Sequence, residues 1–260
     1  MEIPLGIAFN GIDAFLLILV RMTGLFVIAP IFGRRNIPAY LKVGFALLTS
    51  FILVNLIKLP PLNYTNVLEY MFLVIKEFLV GITLGYVAYL LFTAVHLAGQ
   101  IIDMQIGFGM VNVMDPMSNM QVPVTANFYF IISMLMFLSM NGHLMLIGGL
   151  FDSYKLVPLG GAVFSDKLMN DIIRVFGEAF ALGFKISAPI VAAILITDIA
   201  LGIISRSMPQ INVFVVGMPL KIVLGLLVVI ITIPMFISIV DVISNGMKSN
   251  IMTFIKDLAP

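Results

Sequence analysis

The chain of 260 residues has no cysteine, only two histidines, and a net charge of +1. Without cysteine, disulfides and thiolate metal sites are excluded. His96 and His143 are too few for a histidine-based metal centre within one chain. No basic stripe with interleaved aromatic residues is present, which argues against a nucleic-acid surface. We therefore expect no metal, no cofactor and no nucleic-acid partner.

The sequence also lacks the motifs of common catalytic sites. No GxxxxGK[ST] loop occurs, so ATP hydrolysis by that route is excluded. HExxH, GxSxG and paired catalytic carboxylates are absent as well. The basic n-region of a cleavable signal peptide is missing, because the first positive charge is Arg21. We expect a protein that is not an enzyme and that keeps its N-terminus.

What the sequence has in excess is apolar residues. They make up 61% of the chain, charged residues make up 10%, and the mean hydropathy is +1.16. These values lie far outside those of soluble domains, and a spanning helix needs roughly 20 apolar residues. The sequence predicts an all-α integral membrane protein in a single domain, residues 1–260, with about six hydrophobic segments: Ile12–Phe32, Val43–Ile57, Phe78–Ala98, Phe128–Leu150, Phe176–Ile204 and Val213–Val240.

The last two segments are long and contain proline. Pro189 lies in the fifth, and Pro219 and Pro234 lie in the sixth. Proline in helices this apolar predicts kinks or breaks into half-helices. We expect hairpins of bent or broken helices instead of straight rods.

Several charges fall within these segments, notably Arg21, Lys185, Asp198 and Lys221. A charge in hydrocarbon costs about 2.5 to 3.5 kcal/mol on insertion scales, so each should face a protein partner or water. Interhelical ion pairs or snorkelling explain them better than a transport role. Lys185 and Asp198 lie about 20 Å apart along a continuous helix, so they should not pair with each other.

The distribution of basic residues does not orient the chain. With six spans, lysine and arginine fall on both sides of the membrane, whereas a freely inserted bundle normally shows a bias. One side receives Arg34, Arg35, Lys42 and Arg206, and the other receives Lys58, Lys155, Lys167, Arg174, Lys248 and Lys256. The pattern favours an assembly in which other subunits cover some of the apolar segments.

The segment from Gly99 to Val124 has two parts. His96, Gln100 and Asp103 recur at helical spacing and, with Gln105, predict a polar helix face. Hydrogen bonding to a neighbouring helix explains this face better than a proton relay. After Gly107 the helix should break, and non-helical backbone at membrane depth must be buried in protein or line an aqueous cavity. The methionines that follow fit ordinary core packing, a soft closure of a conduit or, with less support, a copper path.

A second informative segment, RSMPQINVFVVGMPLK, runs from Arg206 to Lys221. Pro209 ends one apolar run, and Gly217 and Pro219 interrupt the next. The segment predicts a constrained turn between two helices. Taken alone it is similar to the interrupted helices of secondary transporters.

The same segment resembles the RxxPQxNxFxxGxPxK signature of the FliR family of bacterial flagellar export proteins, whose virulence-secretion counterparts are called SctT. Further stretches agree with the family: Gly99–Phe108, Asn141-Gly142-His143, Phe151–Tyr154, Pro158–Gly160, and Arg21, Gly24, Pro30, Gly33 and Ile37-Pro38. The resemblance covers essentially the whole chain in order. The sequence GFGMVNVMDP resembles that of flagellar members. It implies a stand-alone subunit, since the fused form of the family carries a further soluble domain.

The resemblance also implies a role in the type III export gate of the bacterial cytoplasmic (inner) membrane, in the flagellar basal body. FliP and FliQ family proteins would be the core partners, with FlhB and FlhA family components beside them and unfolded export substrates passing through. A partner ATPase and the proton-motive force would supply energy.

The resemblance implies two sets of functional residues. A plug of about residues 106–122 would close the conduit, beginning with Ile106, Gly107, Phe108, Gly109, Met110, Val111, Asn112, Val113, Met114, Asp115, Pro116 and Met117. An assembly or gating motif would comprise Arg206, Pro209, Gln210, Asn212, Phe214, Gly217, Pro219 and Lys221. The alternative is a self-contained secondary transporter with interrupted helices. Such a transporter should show two matching halves, and the sequence has no internal repeat of this kind.

Overall fold

The computed structural model describes residues 5–30, 32–33, 37–57, 62, 64–108, 123–210 and 212–260. Within them the chain forms seven α-helices and no β-strand: α1 (Leu5–Ile28), α2 (Ala39–Leu56), α3 (Val67–Ile106), α4 (Val124–Ser139), α5 (Gly142–Leu156), α6 (Asp166–Ser207) and α7 (Val213–Leu258). Five of these helices are long and apolar enough to cross a membrane, and α4 and α5 form a bent pair that passes the same test together. The prediction of an all-α integral membrane protein is confirmed.

The six predicted segments all fall on helices, but the fourth is not one helix. Phe128–Leu150 is divided between α4 and α5, with Asn141 at φ 57° just before α5. Asparagine tolerates the left-handed region because its short polar side chain can bond locally, and Asn-Gly is a common turn dipeptide. The fourth predicted segment is therefore a bent pair of helices, which together are long and apolar enough for one span.

Of the kinks or breaks predicted at proline, no break occurs. Pro189 lies inside α6, and Pro219 and Pro234 lie inside α7, and both helices continue through them. Proline removes one backbone hydrogen bond, and helices packed in an apolar setting tolerate that loss. The break in the described helices comes from a left-handed asparagine instead.

Polar side chains set the starts of the two longest helices. The hydroxyl of Ser165 accepts a hydrogen bond from the Leu168 N–H at 3.4 Å, just ahead of α6. The side-chain oxygen of Asn212 accepts one from the Val215 N–H at 3.4 Å, just ahead of α7. Both are N-capping interactions, which satisfy N–H groups that the first helical turn leaves unpaired.

The chain divides into two compact units. The first comprises Met1–Leu90, Leu138–Val175 and Ser244–Pro260. In it, α1 and α3 cross in backbone contact: a Cβ atom on Gly81 would lie 2.1 Å from the Arg21 carbonyl oxygen, and one on Gly24 would lie 2.5 Å from that of Phe78. Glycines allow such close helix crossings in membrane proteins, where helices gain from direct packing.

The second unit comprises Leu91–Phe137 and Phe176–Ile243. Its core is built from α3, α4, α6 and α7, and Tyr129 stacks on Phe236 with ring centroids 4.2 Å apart. The buried residues of this core are Val95, Ala98, Ile102, Ile106, Tyr129, Ile186, Ile190, Ile194, Val229, Phe236 and Val240. The core therefore holds the end of α3, from which the predicted plug departs.

Candidate functional site

The structure places the start of the predicted plug at the C-terminal end of α3. Ile106 is the last helical residue, and Gly107 follows at φ 102° with its N–H bonded to the Asp103 carbonyl oxygen at 3.2 Å. Only glycine adopts such a φ without strain, so it ends the helix here. Phe108 is partly buried and packs against the core of the second unit. The rest of the predicted plug, from Gly109 onwards, lies outside the described residues.

Ile106 anchors this helix end. Its side chain is 1% exposed, and a Cβ atom on Gly225 of α7 would lie 2.6 Å from its terminal carbon. The missing side chain of Gly225 thus leaves the space that Ile106 fills. Any larger residue at position 225 would push against the last turn of α3.

Asp103 joins α3 to the start of α4. Its buried carboxylate accepts hydrogen bonds from the Thr125 N–H at 2.9 Å and from the Ala126 N–H at 3.2 Å. A carboxylate at this position satisfies two of the unpaired N–H groups of the helix and interacts favourably with its dipole. Asp103 thereby holds together the two helices that flank residues 107–123.

The other residues of the predicted polar face have different surroundings. His96 and Gln105 are partly buried, while Gln100 is exposed. The described contacts therefore single out Asp103 as the member of this face that hydrogen-bonds a neighbouring helix.

The signature segment forms the turn between α6 and α7. Arg206, Pro209 and Gln210 are exposed, and Asn212 caps α7 as described above. Phe214 lies in α7, but its side chain falls outside the described part. Gly217 is buried, whereas Pro219 is exposed. The turn thus presents its polar residues outward and turns its glycine inward.

The signature segment and the plug base meet at one cavity within the second unit. Lys221 forms an ion pair with Asp198 of α6, and both side chains are partly exposed. The cavity beside this pair has a volume of about 500 Å³. Its lining residues are Met104, Gln105, Ile106, Gly107, Asp198, Leu201, Gly202, Gly217, Met218 and Lys221. Two segments far apart in the sequence therefore line the same cavity.

The charged residues inside the apolar segments differ in whether they form an ion pair. Asp198 finds its partner in Lys221, in agreement with the prediction that it does not pair with Lys185. Lys185 is exposed, and among the described residues no acidic side chain forms an ion pair with it. Arg21 is fully buried and is paired with a buried carboxylate.

Arg21 lies at the centre of a buried polar cluster in the first unit. Its guanidinium donates to both carboxylate oxygens of Glu77, at 2.5 and 3.0 Å, and both side chains are fully buried. It also donates to the Ser153 hydroxyl at 3.0 Å and to the Val157 carbonyl oxygen at 3.2 Å. Such a bidentate pair is among the strongest side-chain interactions, and it needs this geometry to offset the loss of hydration.

Two further residues complete the cluster. The guanidinium carbon of Arg21 lies 4.2 Å from the centre of the Tyr154 ring, a cation–π contact. The Gly160 N–H donates to Glu77 at 2.8 Å, and Gly160 has φ 75°. Arg21 and the stretches Phe151–Tyr154 and Pro158–Gly160, all noted in the sequence, thus meet at one ion pair. Glu77 was missed because it precedes the predicted third segment by one residue.

Comparison with known proteins identifies the family. Residues 12–247 match the bacterial export proteins, family 1. The flagellar biosynthetic protein FliR of Bacillus subtilis (strain 168) is 40% identical over 221 residues, which cover 84% of this chain and 85% of that protein. The chain belongs to the FliR family. FliR of Escherichia coli (strain K12) is 31% identical over 210 residues, covering 80% of this chain and 79% of that protein. FliR of Aquifex aeolicus (strain VF5) is 31% identical over 208 residues, covering 79% and 80%.

Membership of the FliR family confirms the resemblance found in the sequence. These relatives are named for flagellar biosynthesis and the family for bacterial export. Together with the apolar helices, this makes the chain a membrane-bound component of flagellar export.

Proposed function

We propose that the chain is a structural and gating subunit of the flagellar type III protein export channel. In this proposal it forms the core export gate with FliP-like and FliQ-like membrane proteins, with FlhA-like and FlhB-like components beside them. Unfolded flagellar proteins are the cargo, and the site is the bacterial cytoplasmic membrane at the flagellar basal body. The chain itself is not an enzyme, and the energy for export comes from other components.

One observation carries the gating role. Residues 107–123 connect α3 to α4 in the sequence, and Asp103 holds these two helices together. A segment attached at both ends to a packed core can close an opening without being carried away by cargo. The sequence of this segment contains no lysine or arginine and is rich in methionine and glycine, which suits a deformable apolar closure.

The outer surface of α6 supports assembly with other membrane helices. Phe176, Phe180 and Phe184 recur every four residues and are each about half exposed, and Lys185 lies beside the last of them. A lysine on a lipid-facing helix side is unfavourable by about 2.5 to 3.5 kcal/mol. A neighbouring subunit that offers a carboxylate to Lys185 and an apolar face to the phenylalanines would remove this cost.

Arg206→Ala should lower the amount of assembled gate more than it lowers export per assembled gate. Arg206 is exposed in a turn whose backbone is fixed by proline and by the Asn212 cap, so its side chain is free to meet a carboxylate or helix-end carbonyls of a partner. The amount of gate is measured by pull-down of co-expressed partners, and export by secreted flagellar protein. Lys155→Ala, which removes the cation of an exposed local pair with Asp152, is the matched control. Normal gate levels with abolished export would contradict an assembly role.

The proposal as a whole is tested by expressing the chain with and without FliP-like and FliQ-like partners. Expressed alone it should disperse poorly in detergent and be degraded, and co-expression should rescue it. A stable solo particle with the protease resistance of the complex, and with small-molecule uptake in liposomes, would instead favour the secondary transporter.

A further inference from the structure

A groove lies between the end of α1 and the start of α2, within the first unit. Its volume is about 380 Å³. Its lining residues are Thr23, Phe26, Val27, Gly33, Ala39, Lys42, Val43 and Ala46. Val27 and Val43 are each more than half exposed, so the groove opens to the outside of the chain. None of these lining residues belongs to the Arg21 cluster or to the signature segment.

The walls of the groove are mostly apolar. Phe26 is buried, and the centroid of its ring lies 4.5 Å from that of Phe32 and 5.5 Å from that of Phe45. The small side chains of Ala39 and Ala46 leave space between the two helices. A hydrocarbon chain in this space would make many dispersion contacts with the packed aromatic rings.

The groove lies near the membrane surface. Both helices are long and apolar enough to cross a membrane, over Gly11–Ile28 and Ala39–Leu56, and they pack against each other. The short connection 29–38 joins them, so the end of α1 and the start of α2 reach the same side of the bilayer. Lys42 lies at the end of the first turn of α2, about 4.5 Å along the axis from Ala39. That depth is the boundary between the acyl chains and the headgroups.

Lys42 is the charged residue among the described residues that line the groove. A lysine near the end of a membrane span covers apolar surface with its stem and directs its ammonium towards the headgroups. The groove therefore combines apolar space at the depth of the acyl chains with a positive charge at the depth of the phosphates. Basic pockets between membrane helices bind anionic lipid headgroups for this reason.

We propose that the groove between α1 and α2 binds one anionic phospholipid, with an acyl chain against Phe26 and Val27 and the phosphate at the Lys42 ammonium. A lipid fits better than a partner protein, because the charge lies at headgroup depth and has the sign that a phosphate requires. The bound lipid holds the α1–α2 hairpin at a fixed depth in the bilayer. This inference does not depend on the proposed role in export.

Tryptophan fluorescence tests the proposal, because the chain has no tryptophan of its own. Val27→Trp places an indole on the rim of the groove, and Phe51→Trp places one on α2 outside the groove lining. The two original side chains are 63% and 65% exposed, so both changes should be tolerated. The protein, with any partners that co-purify, is reconstituted in phosphatidylcholine nanodiscs that contain brominated phosphatidylglycerol or the same fraction of brominated phosphatidylcholine. Bromine quenches tryptophan on contact, and the fluorescence of the unmodified preparation is subtracted.

Brominated phosphatidylglycerol should quench Val27→Trp at about a fivefold lower fraction than brominated phosphatidylcholine, which is the effect of one lysine on binding to anionic lipid. Lys42→Gln should remove this preference, and Lys42→Arg should keep it. Raising the salt concentration should weaken it, because salt screens a charge near the headgroups. Phe51→Trp is the control, and both lipids should quench it equally in every variant.

Two outcomes would overturn the proposal. Equal quenching of Val27→Trp by the two lipids, unchanged by Lys42→Gln, would mean a groove filled by lipid without selectivity. Quenching of Phe51→Trp but not of Val27→Trp would mean that protein covers the groove. Yield and melting temperature are measured for each variant. If Lys42→Gln does not fold, the lipid preference of Val27→Trp and its salt dependence decide the question without it.

Discussion

Arg21→Met is expected to destabilise the chain by about 3 to 5 kcal/mol, because it leaves the carboxylate of Glu77 buried without a counter-charge. Gly160 is then the partner that still bonds this carboxylate, through one N–H at 2.8 Å. The loss is a large part of the roughly 5 to 15 kcal/mol by which folded proteins are stable. The variant should be depleted from membranes, and the purified protein should melt at a lower temperature.

A double substitution in this cluster tests whether the unpaired carboxylate causes the loss of stability. Arg21→Met combined with Glu77→Leu removes both charges and should recover part of the loss, since apolar replacements of buried pairs are often tolerated. Recovery should be incomplete, because the Val157 carbonyl oxygen also loses its donor. Lys155→Met is the comparator, because its pair with Asp152 is exposed and should contribute about 1 kcal/mol or less. A double variant no better than Arg21→Met would contradict the ion-pair explanation.

Deleting Gly109–Asp115 should leave the assembly intact and let ions and small solutes cross the membrane. The deleted residues include Met110 and Met114 of the predicted plug, and their closing contacts should be many and individually weak, at about 0.1 to 0.2 kcal/mol per atom pair. The anchors at Ile106, Asp103 and α4 lie outside the deletion and should hold the rest of the fold.

A replacement of the same residues by glycine and serine is the matched control, since it keeps the length and removes the apolar volume. It should leak less than the deletion and more than the unmodified chain. Complex yield and conductance are measured in the same strains. If the segment is instead a packed core element, assembly is lost first and no leak appears in what remains.

The long apolar helices could be predicted from the sequence because hydropathy alone defines them. Their interruptions could not. Proline at 189, 219 and 234 predicted kinks or breaks, and neither helix is broken there, whereas Asn141 separates two helices within an apolar run. A hydropathy profile cannot detect one residue with positive φ. The dipeptide Asn141-Gly142 is nevertheless typical of a turn.

The partners of the buried charges were the other gap. Arg21 predicted a buried counter-charge, but Glu77 lies 56 positions away in the sequence. Glu77 comes close to Arg21 because Gly24 and Gly81 allow α1 and α3 to cross in contact. Lys221 and Asp198 likewise become neighbours through the turn between α6 and α7. Local patterns identified the residues that need partners, whereas tertiary packing determined which partners they have.

The central claim is that residues 106–122 close a conduit through which export substrates pass. It is tested most directly by placing a photo-crosslinking amino acid at Met114 in assembled gates that hold a stalled export substrate. The account predicts crosslinks from Met114 to the substrate, and none from Ile231, which is exposed on α7 in the second unit. Crosslinks from Met114 to other gate subunits or to the chain itself, with none to the stalled substrate, would contradict it.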